Sequence, residues 1–154
     1  MEGVYPGSAY HPEKTPFWPS VFRRHGYTTA QIGKWHTGVD NGYGRDWDHQ
    51  IVWNRPAHPD NAGNYFDDQI VEINGVSTRV QGYTTDWYTE RAAQFIRGDE
   101  RDNEQPWYLW LCYGAVHGPF TPAKRHFDAY PDAQVPVPQD IFTGDNRADK
   151  PKYV

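Results

Sequence analysis

Three side chains in the sequence could together bind a tetrahedral oxyanion. Lys34 and His36 are two residues apart after a β-prone segment, so on an extended chain both would point to the same side. His117 follows an apolar run of strand length. A lysine ammonium is a point charge that suits sulfate or phosphate, and an imidazole can also donate a proton. These residues predict an anion site in which Lys34 supplies positive charge and His36 and His117 are catalytic candidates for proton transfer.

Each of these signals also fits an ordinary structural role. Lys34 could be a solvated charge and His36 a polar strand end, because a lone K-x-H spacing is a weak motif. His117 could cap the turn in which it lies. Spacing alone leaves both alternatives open.

The elements around Lys34 can be read from the local pattern. In TPFWPSVFRRHG, Thr15 and Pro16 favour the start of a helix that ends at Gly26. The segment 27–33 is predicted to be a strand that delivers Lys34 at its end. Residues 39–65 are dense in Gly, Asn, Asp and Pro and predict a long loop.

The second half of the chain alternates strands and helices. Asn74-Gly75 lies between two alternating stretches and predicts a β-hairpin. A helix is expected from Thr84 or Thr85 through Arg97, with an apolar stripe formed by Tyr88, Ala92, Phe95 and Ile96. The run WYLWLCY reads as a central strand buried on both faces, and AKRHFDAY reads as a short helix with Phe127 and Tyr130 on one side.

This order of elements predicts the fold class. It indicates an α/β protein with an open, largely parallel sheet flanked by helices and a β-hairpin insertion. The chain is expected to form one domain over residues 1–154, with irregular structure in 1–15 and Pro/Asp-rich coil in 132–154. Ligands of such sheets bind at the carboxyl ends of the strands, where Lys34 and His117 are predicted to lie.

Composition excludes several classes of partner. The net charge is -5, and no basic patch of the kind that nucleic acid requires is visible. No apolar stretch approaches the roughly 18 residues of a membrane span, so no membrane partner is expected. The single Cys112 forms no internal disulfide and is expected to be a buried structural thiol.

Two stretches carry a resemblance to a known family. Residues 26–38, GYTTAQIGKWHTG, resemble the second signature of the sulfatases, with its G-K-W-H-x-G ending. Residues 115–122, AVHGPFTP, resemble the A-P-H-x-P-F-x-P-P segment of the same family, with Val116 in place of its usual Pro. Residues 125–131 are similar to its short helix ending in Y-P. The resemblance covers roughly residues 16–38 and 84–131 and implies a partial alkaline-phosphatase-like fold.

The resemblance also implies roles for the candidate residues. It assigns Lys34 and His117 to the oxygens of the sulfate group and His36 to the geminal hydroxyl of the nucleophile. The substrate that it implies is a sulfate ester, a class that includes sulfated carbohydrates. Two other functions stay open: a phosphoester hydrolase of the same superfamily, and a module that binds sulfated sugars without catalysis. Lysine and histidine would serve phosphate equally well.

Parts of the family pattern are missing. The formylglycine nucleophile is made from Cys or Ser in C/S-x-P-x-R, and Cys112, Ser8, Ser20 and Ser77 all lack the required Pro and Arg. The resemblance implies calcium for the full family enzyme, but its Asp and Asp-Asn ligand pairs are not found in this chain. The short acidic motifs that look similar are expected to be solvated turn residues and lie at Asp40-Asn41, Asp67-Asp68 and Asp145-Asn146. We therefore expect the chain alone to be inactive, and a cut sheet to drive homo-oligomerisation through an exposed edge or apolar face.

Overall fold

The computed structural model describes residues 11–58 and 64–136. The chain divides into two compact units, Met1–Thr121 and Pro122–Val154. The described part of the first unit contains both α-helices and all five strands. The described part of the second unit contains one three-residue 3-10 helix, Lys124–His126.

The first unit is a five-stranded open sheet with two α-helices. In chain order the elements are α1 (Trp18–Arg24), β1 (Thr28–Trp35), β2 (His49–Asn54), β3 (Ile70–Ile73), β4 (Val76–Arg79), α2 (Thr84–Arg97) and β5 (Trp107–Cys112). The strand order is β4-β3-β2-β1-β5. Strand β1 runs parallel to β2 and β5, whereas the β2–β3 and β3–β4 pairs are antiparallel. The open α/β sheet is confirmed, and the sheet is mixed because the hairpin extends it directly.

Two predictions about the strands are wrong. The predicted loop 39–65 contains β2, a strand that is buried almost throughout and pairs with β1. The run WYLWLCY forms β5 at the end of the strand order, and its residues are partly exposed. The central strand that is buried on both faces is β1. A non-alternating run is typical of a strand covered on both faces, but the local pattern determines neither the burial of the strand nor how many strands lie beside it.

The helix boundaries are corrected in two places. Helix α1 begins after Phe17 with Pro19 in its first turn, so Thr15 and Pro16 lie before the helix. A proline supports the first turn because its missing N–H has no helical partner there. In the second unit, the predicted short helix is only the 3-10 turn, and Phe127 and Tyr130 are both exposed.

The hairpin and the second helix match the sequence closely. Asn74 and Gly75 both adopt positive φ, of 47° and 81°, as a two-residue hairpin turn with both central residues in the left-handed region requires. Helix α2 ends at Gly98, which is left-handed with φ of 89°. Its predicted stripe is buried at Tyr88, Ala92 and Phe95, whereas Ile96 is exposed. Neither α1 nor α2 approaches the length and apolarity needed to cross a membrane, and the other described residues add no helix that does.

One face of the sheet is covered by α2 and is called the α2 face. Strand β1 presents Ala30 and Ile32 to this face, and β2 presents Ile51 and Trp53 beside them. These residues pack with Phe95 of α2 in one apolar core. Burial of large apolar side chains stabilises the fold by roughly 25 cal/mol per Å². Lys34 is the next β1 residue on this face, since side chains alternate along a strand.

The opposite face is called the α1 face. Phe17, which precedes α1, lies in the middle of an aromatic group and contacts the rings of Trp35, Trp47 and Trp110. Beside them is a buried pair of amides, in which Gln50 Nε2 donates to Gln31 Oε1 at 2.9 Å. The two faces of β1 thus differ in chemistry: one is apolar, and the other mixes aromatic rings with buried polar groups.

Candidate functional site

The end of β1 is held by a close backbone contact at Gly33. A Cβ at this position would lie 1.8 Å from the carbonyl oxygen of Cys112 on β5, and the residue has a φ of 114°. Only glycine leaves room for this approach and adopts such a φ without strain. Gly33 therefore fixes the relation of β1 to β5, and with it the starting points of Lys34 and of the turn that carries His117.

Lys34 lies on the α2 face above two aromatic rings. Its Nζ is 4.7 Å from the centroid of Tyr65 and 5.5 Å from the centroid of Trp53. Burial lowers the pKa of Lys34, and the positive charge of Arg55 lowers it further. An ammonium in this setting gains from the π faces but has lost part of its water, so an added anion would stabilise it.

His36 follows β1 and lies in a positive field. Burial lowers its pKa, as do the charges of Lys34, Arg55 and His117, in that order. The neutral imidazole is therefore favoured at neutral pH, because each neighbouring cation disfavours a further proton. A neutral imidazole can accept a proton from a hydroxyl group.

His117 lies in the turn after β5 and stacks on Tyr65. The two ring centroids are 3.8 Å apart and the planes differ by 8°. Nδ1 of His117 donates to the carbonyl oxygen of Gly118 at 2.8 Å. A carbonyl can only accept, so the proton of the neutral ring is on Nδ1 and Nε2 is left as the acceptor. The structure thus brings Lys34 and His117 against the same tyrosine ring, although they are 83 positions apart in the sequence.

Two residues at this site escaped the sequence analysis. Arg55 directly follows β2, and its backbone N–H donates to the carbonyl of Trp35, so it continues the β1–β2 ladder beside His36. Tyr65 is 7% exposed and packs edge-on against Trp53, with centroids 4.9 Å apart. Both were hidden because β2 was read as loop. The short run Ile51-Val52-Trp53 is the signal that could have revealed that strand.

The acidic motifs that resemble metal ligands have protein partners. Asp40 accepts two hydrogen bonds from the guanidinium of Arg45, both at 3.0 Å, and this pairing lowers the pKa of Asp40. Asp68 Oδ1 accepts the backbone N–H of Gly82 at 2.7 Å. Asn41 is 8% exposed, so it is a buried residue and not the solvated one that was expected. The motif Asp145-Asn146 lies outside the described residues.

These contacts bear on the calcium that the resemblance implies. A hard cation needs about six oxygen ligands. Within residues 11–58 and 64–136, no three His, Cys, Asp or Glu side chains form a group that could hold a metal ion. The described residues therefore do not fit such an ion, and Lys34 and Arg55 supply the fixed positive charge in this part of the site.

Cys112 is unsuited to be a nucleophile. It is a free, half-buried thiol at the end of β5, and burial raises its pKa to about 11. The thiolate is the reactive form, and it is scarce at neutral pH when the pKa is so high. The thiol is half-buried, not fully buried as expected from the sequence.

The chain is similar to proteins of one family. The family model described as Sulfatase matches residues 2–148. The N-acetylglucosamine-6-O-sulfatase of Bacteroides thetaiotaomicron is 30% identical over 124 residues, which is 80% of this chain and 21% of that protein. Arylsulfatase J of Mus musculus is 26% identical over 136 residues, or 73% of this chain and 20% of that protein. The chain spans about a fifth of the length of these curated relatives.

Solved structures share the fold. The structure of BT4656 in complex with its substrate D-glucosamine-2-N,6-O-disulfate matches with a TM-score of 0.69 and 24% identity. The match covers 89% of this chain and 26% of the BT4656 chain. The structure of Ps i-CgsB in complex with k-i-k-neocarrahexaose matches with a TM-score of 0.58 and 20% identity. This match covers 76% of this chain and 30% of the Ps i-CgsB chain. At these identities the likeness shows the fold alone: the chain has a partial alkaline-phosphatase-like fold.

Proposed function

Because the chain belongs to the sulfatase family, we propose that it forms part of the sulfate-binding site of a sulfuric ester hydrolase. Lys34 and His117 contact the sulfate oxygens in this proposal, and His36 contacts the hydroxyl of the nucleophile. The observation that carries it is the packing of Lys34 and His117 against the single ring of Tyr65. Two side chains from distant segments thus contact one ring, which supports a shared role.

The proposed roles follow from charge and protonation. The sulfate group is negative throughout the reaction, and a fixed ammonium at Lys34 stabilises its oxygens; further negative charge grows on the departing alcohol oxygen as the sulfur–oxygen bond breaks. His36 is kept neutral by burial and by its cationic neighbours, so it accepts a proton from a hydroxyl. His117 contacts sulfate through Nε2 when that atom carries a proton, because Nδ1 already donates to Gly118.

The substrate class we propose is a sulfated carbohydrate. Support comes from the relative named for 6-O-sulfated N-acetylglucosamine and from the structure that holds a glucosamine disulfate as its substrate. This proposal also covers binding without turnover.

Sulfate binding to this chain tests the proposal. Isothermal titration of the 154-residue chain with sodium sulfate should give a measurable affinity, and Lys34→Met should raise the dissociation constant about tenfold, as the loss of one charge-assisted contact implies. Lys14→Met is the matched control, because Lys14 is an exposed lysine in a turn before α1. Equal sulfate affinity in wild type and Lys34→Met would contradict the proposed contact.

Turnover by the isolated chain is a separate question. No C/S-x-P-x-R motif occurs in the sequence, and the described residues offer no fit for a hard cation. We propose that the chain alone does not hydrolyse sulfate esters. An assay with nitrocatechol sulfate and calcium should give no turnover, and turnover that disappears in His117→Ala would overturn this.

Self-association of the isolated chain is also proposed. Strands β4 and β5 end the strand order, and every residue of β4 is exposed. A strand with an unpaired edge can pair with another chain. Sedimentation over a range of protein concentrations should show a dimer or larger species, and a monomer at every concentration would contradict this.

A further inference from the structure

We propose that Tyr65 is a positioning residue that sets Lys34 and His117 in register for one anion. This inference rests on the proposed function, because it concerns how that site is held together. Tyr65 contacts no reacting group in the proposal. It acts through the two side chains that lie against its ring.

The position of Tyr65 is itself well fixed. Its ring packs edge-on against Trp53, which is fully buried, and is also near Phe66 in the same core. Its carbonyl oxygen lies so close to Gly114 that a Cβ there would approach it to 2.8 Å. The turn that carries His117 therefore packs directly on the backbone of residue 65 as well as on its ring.

The ring restricts both functional side chains. Lys34 has four rotatable bonds, and its ammonium is attracted by the electron-rich face of Tyr65 at 4.7 Å from the centroid. His117 is exposed to solvent and gains its order from the stack on the same ring at 3.8 Å. Without an aromatic ring at position 65, Lys34 would lose one of its two π contacts and His117 would lose its stacking partner.

The repulsion between cations gives the ring a second effect. Lys34, Arg55 and His117 all disfavour a proton on His36, so this end of the sheet gathers positive groups. An aromatic face attracts both an ammonium and an imidazolium, which offsets part of their mutual repulsion. Tyr65 thus stabilises the positive charge of each group that lies against its ring before an anion arrives.

The test compares two variants of the full chain with a matched control. Tyr65→Phe keeps the ring, and Tyr65→Leu removes it with a smaller change of volume than alanine would cause. Tyr83→Leu is the control, because Tyr83 is half-buried and stacks on Phe66 away from Lys34. Two readouts are measured by NMR and calorimetry: the chemical shifts of the His117 ring protons and the dissociation constant for sulfate.

A positioning role predicts a distinct pattern. The ring current of Tyr65 should shift the His117 ring protons upfield in wild type and Tyr65→Phe, and these signals should move toward free-histidine values in Tyr65→Leu. The dissociation constant for sulfate should rise about fivefold to tenfold in Tyr65→Leu, as a lost cation–π contact implies. Tyr65→Phe and Tyr83→Leu should bind sulfate as the wild type does.

The outcomes separate this inference from the proposed function. Unchanged His117 shifts in Tyr65→Leu would overturn the positioning role whether or not sulfate binds. Sulfate binding that falls equally in Tyr65→Leu and Tyr83→Leu would also overturn it, because the loss would then reflect general destabilisation. If wild type shows the ring-current shift but no sulfate affinity, the proposed function fails while the packing on Tyr65 stands. Should Tyr65→Leu not fold, Tyr65→Met replaces it with an unbranched side chain and the same two readouts decide.

Discussion

The two faces of strand β1 meet very different surroundings. On the α2 face, Ile32 and Phe95 are fully buried in an apolar core. On the α1 face, the neighbouring residue Gln31 is equally buried but pairs with Gln50, and Trp18 of α1 is 55% exposed. The 14-residue helix α2 covers the first face, whereas the helix on the second face, α1, has only seven residues.

The difference explains why the candidate site lies at the end of the α2 face. Burial removes part of the water around Lys34, so a bound anion stabilises its charged form more strongly. Some polar groups on the α1 face instead pair with one another, as Gln50 Nε2 shows by donating two hydrogen bonds. One strand thus provides both a partly desolvated lysine and a polar network, because its side chains alternate.

The largest expected effect comes from a change that affects both faces at once. In Gly33→Ala, the new Cβ would meet the Cys112 carbonyl at 1.8 Å, so β1 and β5 would have to separate. We expect a loss of more than about 4 kcal/mol in the free energy of unfolding, measured by urea unfolding. Gly26→Ala is the control, because Gly26 has a similar positive φ but no atom within 4 Å of the added Cβ, and it should cost about 1–2 kcal/mol. Equal stability of the two variants would contradict the close contact.

The next effect compares the covering helices directly. Phe95→Ala opens a cavity in the α2 face and should lower the free energy of unfolding by about 3–4 kcal/mol. Trp18→Ala on the α1 face removes an exposed ring that contacts Tyr108 and Trp110, and should cost less than about 1.5 kcal/mol. Thermal unfolding followed by circular dichroism measures both. A larger loss for Trp18 than for Phe95 would reverse the comparison of the faces.

The polar network gives an intermediate effect. Gln50 Nε2 donates to Gln31 Oε1 and to the carbonyl of Asn41, each at 2.9 Å. Gln50→Leu leaves these buried acceptors without their donor and should cost about 1–3 kcal/mol. In a double-mutant cycle with Gln31→Leu, the two losses should add to more than the loss in the double variant. Strict additivity would show that the amides do not depend on each other.

The smallest effect is electrostatic. Removing the charge in Lys34→Met should raise the pKa of His36, because that charge disfavours the imidazolium; an NMR titration of the ring protons measures the shift. Lys14→Met should leave the midpoint unchanged.

The lowered pKa of His36 also affects stability, because this pKa is lower in the folded chain than in the unfolded one. As the pH falls below about 6.5, the unfolded chain therefore takes up a proton that folded His36 does not, and stability is lost. A wild-type midpoint above the ordinary histidine value would contradict this.

Local signals in the sequence were enough for some of the fold. Asn74-Gly75 specifies its hairpin because few other residue pairs adopt two positive φ values, and Gly98 ends α2 for the same reason. Strand β2 was missed because its flanks are rich in Gly, Asn and Pro and its apolar core is only Ile51-Val52-Trp53. Burial of that strand on both faces comes from tertiary neighbours, which a local pattern does not contain.

The candidate site shows the same limit. Lys34, His36 and His117 could be named because each follows a strand-like segment and lies in a motif. Arg55 and Tyr65 could not, since their place at the site depends on β2 pairing with β1. The assignment of roles to the first three stays a prediction, and their packing on Tyr65 could be found only in three dimensions.

The aromatic group on the α1 face has an optical consequence. Four of the seven tryptophans lie there, at positions 18, 35, 47 and 110, and the rings of Trp47 and Trp110 are 5.8 Å apart. At such separations excitation passes readily from one indole to another. Intrinsic fluorescence should therefore report chiefly on the α1 face, whereas a ligand beside Lys34 would be seen through Trp53 on the other side.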